Sequence, residues 1–254
     1  LILLKKKFIS VVTVCFNAQS LIEKTIQSVI SQNFIEKEYV IIDGGSTDET
    51  KTIIQSYCRQ IDVIVSEPDQ GIYNAMNKAI DLVSGEWVIF MNAGDLFADN
   101  KVLTNISTYL DSNIDVLYGN ILVEKGGRLI MKDSPSNIKN IHRMPFCHQA
   151  VFTRLSLLEK YHFDEKYALS SDFKFFKQLI RDSVSFRKID MPITVYDKKG
   201  LSHVQRSKGL SENIKIIKEL DSVSDKMRFL PRLYFVKTWN NLMCAFKQVI
   251  DKHT

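Results

Sequence analysis

From Phe8 to Met91 short β-branched runs alternate with helical patterns, and this alternation restricts the available folds more than any other feature of the chain. Phe8 to Val14 (FISVVTV) has strand character, and Ser20 to Ser31 (SLIEKTIQSVIS) sets apolar residues at helical spacing behind a predicted Ser20 N-cap. Glu38 to Ile42 is a second strand, Asp43 to Thr47 a turn rich in Gly and Ser, and Asp48 to Arg59 a second helix. A strand over Asp62 to Ser66, a helix over Gly71 to Val83 and a strand over Glu86 to Met91 continue the series. Such a series predicts an α/β fold with a mostly parallel sheet, flanked by helices and joined by right-handed crossovers. Ligands of such sheets bind beyond the carboxyl ends of the strands.

Those ends carry polar residues where an apolar sheet would otherwise simply turn. Cys15-Phe16-Asn17 follows the first strand, Asp43-Gly44-Gly45-Ser46 the second and Asn92-Ala93-Gly94-Asp95 the fourth. Each segment alone also reads as an ordinary turn or helix cap. Together they describe one crevice, in which Phe16 lies against a base, Asp43 accepts from a base N–H or ribose hydroxyl, and the glycines admit close backbone approach.

The second half is less regular. Leu117 to Val123 and Arg128 to Met131 flank Lys125-Gly126-Gly127 as a predicted hairpin, Asp172 to Arg181 is helical, and Phe186 to Tyr196 is a strand interrupted by Pro192. No apolar run approaches the roughly 20 residues that span a bilayer. Lys5, Lys6 and Lys7 follow the short Leu1 to Leu4 stretch, the wrong order for a secretory signal, so an intracellular start is expected. The cysteines Cys15, Cys58, Cys147 and Cys244 are widely spaced and read as reduced thiols. Between Lys226 and Thr254 six basic residues face one acid, a surplus equal to the chain's whole net charge of +5. Charge confined to a tail argues for a local contact and against a nucleic-acid-binding face.

Val11 to Asn17 (VVTVCFN), Ile41 to Thr50 (IIDGGSTDET), Ser66 to Lys78 (SEPDQGIYNAMNK) and Gly85 to Asp95 (GEWVIFMNAGD) resemble the successive signatures of glycosyltransferase family 2. The resemblance covers roughly residues 8 to 200 and implies an inverting enzyme with the Rossmann-like GT-A fold, similar to bacterial enzymes of O-antigen, capsule or lipopolysaccharide assembly. The organisation of the chain divides it into a nucleotide-sugar-binding half over residues 1–98, an acceptor-side half over 99–205, and a basic helical tail over 206–254. The family's Asp-x-Asp motif falls on Asn92 to Asp95, which gives Asp95 the role of ligand to Mn2+ or Mg2+ beneath the donor diphosphate, with Asn92 as a departure. Val14, Phe16, Asn17, Asp43, Gly44, Ala93 and Gly94 then line the donor. Many relatives carry a second Asp at position 44, so with Gly44 there one nucleotide contact is either missing or supplied by Asp69. Lys78, about two helical turns beyond Gly71, either reaches phosphate or lies on a solvated helix face.

An inverting transfer needs one base. The resemblance gives that role to Asp172, which as a residue reads equally as a carboxylate favoured by a helix N-terminus. His148, in Cys147-His148-Gln149, resembles a segment near donor sugar or acceptor and is the secondary candidate, with a structural histidine as the alternative. His203 or Arg206, in the Tyr196 to Arg206 stretch, is expected to close over the diphosphate. The implied reaction moves a hexose or N-acetylhexosamine from a UDP sugar to a saccharide acceptor, lipid-diphosphate-linked. A silent sugar-nucleotide-binding partner and a sugar nucleotidyltransferase are the alternatives. The latter needs a Gly-rich phosphate loop that Val14 to Asn17 is not, and a nicotinamide enzyme would need G-x-G-x-x-G there. In the tail, Phe235, Trp239, Leu242, Phe246 and Ile250 form one apolar stripe. That stripe suits either an interfacial helix on anionic lipid, placing the protein in the cytoplasm on the inner face of the membrane, or a helix packed on the body.

Overall fold

The computed structural model describes residues 8–139, 141–196 and 205–250, without the side chains of 241, 242 and 244–250. The elements are β1 (Ile9–Cys15), α1 (Ile22–Ile30), β2 (Lys37–Asp43), α2 (Thr50–Ser56), β3 (Val63–Ser66), α3 (Ile72–Ile80), β4 (Trp87–Phe90), β5 (Leu96–Phe97) and α4 (Val102–Ser107). They continue with β6 (Val116–Lys125), β7 (Arg128–Lys132), β8 (Val151–Arg154), α5 (Leu155–Tyr161), α6 (Ser171–Arg181), β9 (Phe186–Tyr196), α7 (Arg206–Leu220) and α8 (Val223–Ile250).

One sheet of nine strands runs in the order β3-β2-β1-β4-β8-β6-β9-β5, with β7 paired to β6 outside that path. The strands β3, β2, β1 and β4 are mutually parallel. β8 enters antiparallel between β4 and β6, which restores the original direction in β6 and its parallel partner β9. The sheet is therefore mostly parallel in direction, the α/β class expected. All seven residues of β1 are buried, as a strand covered on both faces requires. Ile9, Val11 and Cys15 join one core with Ile22, Ile26 and Val29 of α1 and Val102, Leu103 and Ile106 of α4. Val12 and Val14 join the opposite core with Met76 and Ala79 of α3, Leu158 of α5 and Phe175 and Leu179 of α6.

The local readings hold with specific departures. The β6–β7 hairpin closes on Gly126 and Gly127, both at positive φ (61° and 75°), the pair that a two-residue turn between right-twisted strands demands. Ser20 is not the N-cap of α1: the helix starts at Ile22 without a side-chain cap, and the amides of Leu21 and Ile22 both turn back to Ala18 O at 2.9 Å. The second helix stops at Ser56, and Cys58–Gln60 forms a separate 3-10 turn. β9 continues through Pro192, and the ladder with β6 instead shifts register around Asn120, opposite the residue that has no N–H to donate. β5, α4, β8 and α5 had no counterpart in the periodicity reading.

The tail divides in two. Its base is bound to the body: Ile214, Ile216 and Ile217 of α7 and Phe229 and Leu233 of α8 pack around Phe173 of α6. Lys174 of the same helix bridges Asp164 (2.7 Å) and Glu219 (2.5 Å), and Lys177 meets Asp221 at 2.7 Å. Further along α8, Phe235 and Trp239 stay exposed and stack with ring centroids 6.3 Å apart. The side chains of Leu242, Phe246 and Ile250 lie outside the described residues.

Candidate active site

The chain leaves β1 for β2 on one side and reaches β4 on the other, so the switch point of the parallel sheet falls between β1 and β4. Neighbouring connections run in opposite directions there, which opens a crevice at the carboxyl ends. Cys15 pairs with Asp43, Met91 N donates to Val12 O at 2.8 Å, and Ala93 N donates to Val14 O at 3.2 Å. The three polar strand ends are thus side by side. Asn17 joins two of them: its amide donates to Ser46 Oγ (2.8 Å) and its Oδ1 accepts from Thr47 N (2.9 Å). Phe16, 60% exposed, stands at the rim with its ring free to stack.

Two expected donor contacts turn out to be supports. Asp43 has no exposed surface: its carboxylate accepts from Ser46 N (3.1 Å to Oδ2), Ser46 Oγ and Ser66 Oγ (2.6 Å), so it fixes the turn and has no surface to offer base or ribose. Val14 is likewise buried, with its side chain in the core and its carbonyl taken by Ala93. Burial, reinforced by the Asp43 charge, pushes the Cys15 thiol up, so it stays a neutral neighbour. Lys78, partly exposed, is engaged within its own loop. It pairs with Glu67 at 2.7 Å and donates to Pro68 O at 3.0 Å, clamping the loop that carries Asp69. Gly44 and Asp69 adjoin each other at the end of β2.

The turn from Asn92 to Asp95 closes with Asp95 N donating to Asn92 O at 3.0 Å. Thr25 of α1 pins it, with Gly94 N donating to Thr25 Oγ1 (2.9 Å) and that hydroxyl donating to Asp95 O (3.0 Å). Asp95 is only 4% exposed. Among the described residues no three His, Cys, Asp or Glu side chains gather as a metal cage. Asn92 Oδ1 is buried with no hydrogen-bond partner. One carboxylate and one amide oxygen in a single turn form a hard-oxygen donor set, which fits a divalent ion that takes most of its ligands from a bound diphosphate.

Asn92 leads to the second half of the site. Its Nδ2 lies 3.2 Å from His148 Nε2. The other ring nitrogen, Nδ1, lies 3.1 Å from Asp172 Oδ2, and since a carboxylate only accepts, Nδ1–H is the donor of that contact. On the other carboxylate oxygen, Tyr73 OH donates to Oδ1 at 2.9 Å and Phe173 N at 2.8 Å. Burial first, then the Asp172 charge, holds the Tyr73 phenol well above its ordinary range, so it remains a donor. Met76, Phe90, Val151 and Phe163 back the pair around a space of about 10 Å³, at the lower limit for one water. Three of the roughly four lone-pair positions of the carboxylate are occupied, and one remains for an incoming proton.

Tyr73 was missed in the sequence because an aromatic at a helical core position reads as packing. The signal available was its place in the Ser66 to Lys78 motif. Arg206 opens α7 as an exposed residue, and among the described residues no hydrogen bond or ion pair ties it to the crevice. His203 lies outside the described residues.

The sequence model of glycosyl transferase family 2 matches residues 10–174, a span that takes in the three strand ends, Tyr73, His148 and Asp172. The chain belongs to this family. A PGL/p-HBAD biosynthesis glycosyltransferase of Mycobacterium tuberculosis is 29% identical to it over 163 residues, 58% of this chain and 59% of that protein. A Campylobacter jejuni GalNAc(5)-diNAcBac-PP-undecaprenol beta-1,3-glucosyltransferase is 31% identical over 173 residues, 63% of this chain and 55% of that protein. The chain therefore spans little more than half the length of these family 2 relatives. Among solved structures, Staphylococcus aureus TarS with UDP-GlcNAc superposes with a TM-score of 0.69 at 18% identity, covering 88% of this chain and 71% of that one. The Pyrobaculum calidifontis mannosyltransferase PcManGT with GDP-Man and Mn2+ gives a TM-score of 0.69 at 18% identity, covering 93% and 72%. At such identities the likeness is one of fold, and it is the GT-A fold expected for the family.

Proposed function

We propose that the chain is an inverting glycosyltransferase that moves a hexose or N-acetylhexosamine from a nucleotide sugar, UDP-linked, to a lipid-linked saccharide in surface-polysaccharide assembly. The observation that carries this reading is Asp172, joined through His148 to the Asn92–Asp95 turn and left with one acceptor position. An acceptor hydroxyl gives its proton to that position as its oxygen attacks the anomeric carbon from the face opposite the nucleotide. The bond from that carbon to the diphosphate oxygen breaks, and its electrons leave with the nucleotide. Tyr73 and His148 hold the carboxylate in place for this transfer, and His148 Nδ1–H steadies the charge on Oδ2 beforehand. Asp95 would hold a divalent ion, Mn2+ or Mg2+, which when bound would supply charge neutralisation for the leaving diphosphate. The UDP sugar bound to TarS, the Mn2+ of PcManGT and the undecaprenol diphosphate in the Campylobacter relative's description support the donor, metal and acceptor classes.

Calorimetric titration of UDP, GDP and dTDP with and without manganese tests the donor half. Binding of one nucleotide, strengthened by manganese, is the expected result, and no binding of any would remove the reading. Binding without turnover across lipid-linked acceptors would favour a silent partner.

We further place the chain on an anionic membrane surface through α8. Among the described residues no helix is long and apolar enough to cross a membrane. Phe235 and Trp239 nevertheless remain exposed beyond the segment of α8 that packs on the body, with Lys237 between them. In flotation with vesicles containing anionic lipid, Phe235→Ser/Trp239→Ser protein is expected to lose most of the wild-type recovery. Equal recovery would show that α8 makes no lipid contact.

A further inference from the structure

We infer that one face of the β6–β7 hairpin is the subsite for the diphosphate of a lipid-linked acceptor, held by Lys125 and Arg128, with Lys132 on the way from them to the reaction site. The inference rests on the acceptor reading above and names the surface that meets the acceptor's charge. Partners in an antiparallel ladder point to the same face of the sheet, so the pairs Ile121–Lys132, Val123–Ile130 and Lys125–Arg128 share one face of the hairpin. Across β6, Ile121 also pairs with Thr194 of β9, whose Oγ1 donates to Gln149 O at 2.5 Å in the turn that carries His148. Thr194 pairs onward with Phe97 of β5, just beyond Asp95. One transverse row, Lys132–Ile121–Thr194–Phe97, thus runs from the hairpin to both turns of the reaction site.

That face is cationic and lacks a counter-charge. Lys125, Arg128 and Lys132 are exposed, and among the described residues none of the three has an ion pair or a hydrogen bond through its side chain. Glu124 pairs with Leu129 and therefore points to the opposite face, where Leu129 and Met131 also stand exposed. On the near face only Ile130 interrupts the cations, so charge lines the approach to the site. Lys125 and Arg128 lie directly opposite each other, a like-charge pair that weakens a ladder. A diphosphate between them turns that repulsion into charge-assisted hydrogen bonds. Lys132 stands nearer the reaction: burial and the charges of Asp95 and Asp172 push the Cys147 thiol up, and the Lys132 charge opposes them. From Lys132 to Arg128 the strand advances about 13 Å at ~3.3 Å per residue, room for a short saccharide between the reacting hydroxyl and its diphosphate.

The test is calorimetric titration of geranyl diphosphate and of geraniol, with UDP present, on the full-length wild type, Lys125→Gln/Arg128→Gln and the charge-keeping Lys125→Arg/Arg128→Lys. All the substituted side chains are exposed, so the variants should fold. The wild type is expected to bind geranyl diphosphate and not geraniol, more weakly as salt is added. Lys125→Gln/Arg128→Gln should bind it about 10-fold less tightly, and the charge-keeping variant within a few-fold of wild type. UDP affinity should be the same in all three. No binding of geranyl diphosphate by the wild type, or equal binding by the Gln variant, would reduce the cations to solvated guards of a sheet edge. A parallel loss of UDP affinity would assign them to the donor. Lost recovery with anionic vesicles, at unchanged geranyl diphosphate affinity, would make the hairpin a membrane contact instead. Turnover separates this inference from the reading beneath it. With saccharides on a prenyl diphosphate, Lys125→Gln/Arg128→Gln should raise KM about 10-fold at unchanged kcat, and an unchanged KM would remove the hairpin subsite alone. Wild-type transfer to the same saccharides on a neutral alkyl chain, with none to the diphosphate-linked form, would remove the lipid-diphosphate acceptor itself.

Discussion

Asp172→Asn is expected to lower the rate of sugar transfer by about 10²- to 10⁴-fold, the range attached to a positioned general base, while nucleotide affinity stays within a few-fold of wild type. The asparagine keeps the volume and still accepts from Tyr73 and Phe173 on Oδ1. On the other side its amide nitrogen meets His148 Nδ1–H, two donors facing each other at the present 3.1 Å. The variant therefore loses both the proton acceptor and the orientation of the histidine. Donor binding is spared because the Phe16 rim and the Asp69 loop belong to other strand ends. Separate measurement of nucleotide binding and of turnover with a lipid-linked acceptor distinguishes the cases. Unchanged turnover removes Asp172 from the reaction, and loss of both activities assigns it to the integrity of the fold.

Asp95→Asn should cost about 10²- to 10³-fold in turnover, comparable to removing one preorganised stabiliser of developing charge. It should also abolish the gain in nucleotide affinity that manganese brings to the wild type. The backbone of the turn is held by Thr25 and by Asn92 O, neither of which depends on the Asp95 carboxylate, so the loop should keep its shape. Titration of UDP with and without manganese on both proteins gives the answer. A manganese effect of wild-type size in the variant would mean that Asp95 does not hold the ion.

The two substitutions bracket Asn92, whose departure from the family pattern acquires a physical meaning only in three dimensions. Its Nδ2 faces His148 Nε2 at 3.2 Å, while the other ring nitrogen faces Asp172. A carboxylate at the same position has no hydrogen to donate to the ring nitrogen. Asn92 thus leaves a neutral amide oxygen in the turn where the family pattern has a carboxylate, while its nitrogen faces the histidine beside the base.

Much of this molecule is written locally. Alternating apolar periods identify β1, α1, β2, α3 and β4 because a strand buried on both faces and a helix buried on one leave different spacings in the chain. Gly126 and Gly127 announce their hairpin because few other residues accept positive φ, and the strand-end residues, Asp172 and His148 stand within recognisable motifs. The partners of those residues were not legible. Tyr73 meets Asp172 across 99 residues of sequence, Lys78 turns to Glu67 instead of toward phosphate, and Asp43 disappears into its own turn. Spacing encodes which face of an element is buried. Which distant group satisfies a buried oxygen depends on how elements such as β8 enter the sheet, and only the packed structure decides that.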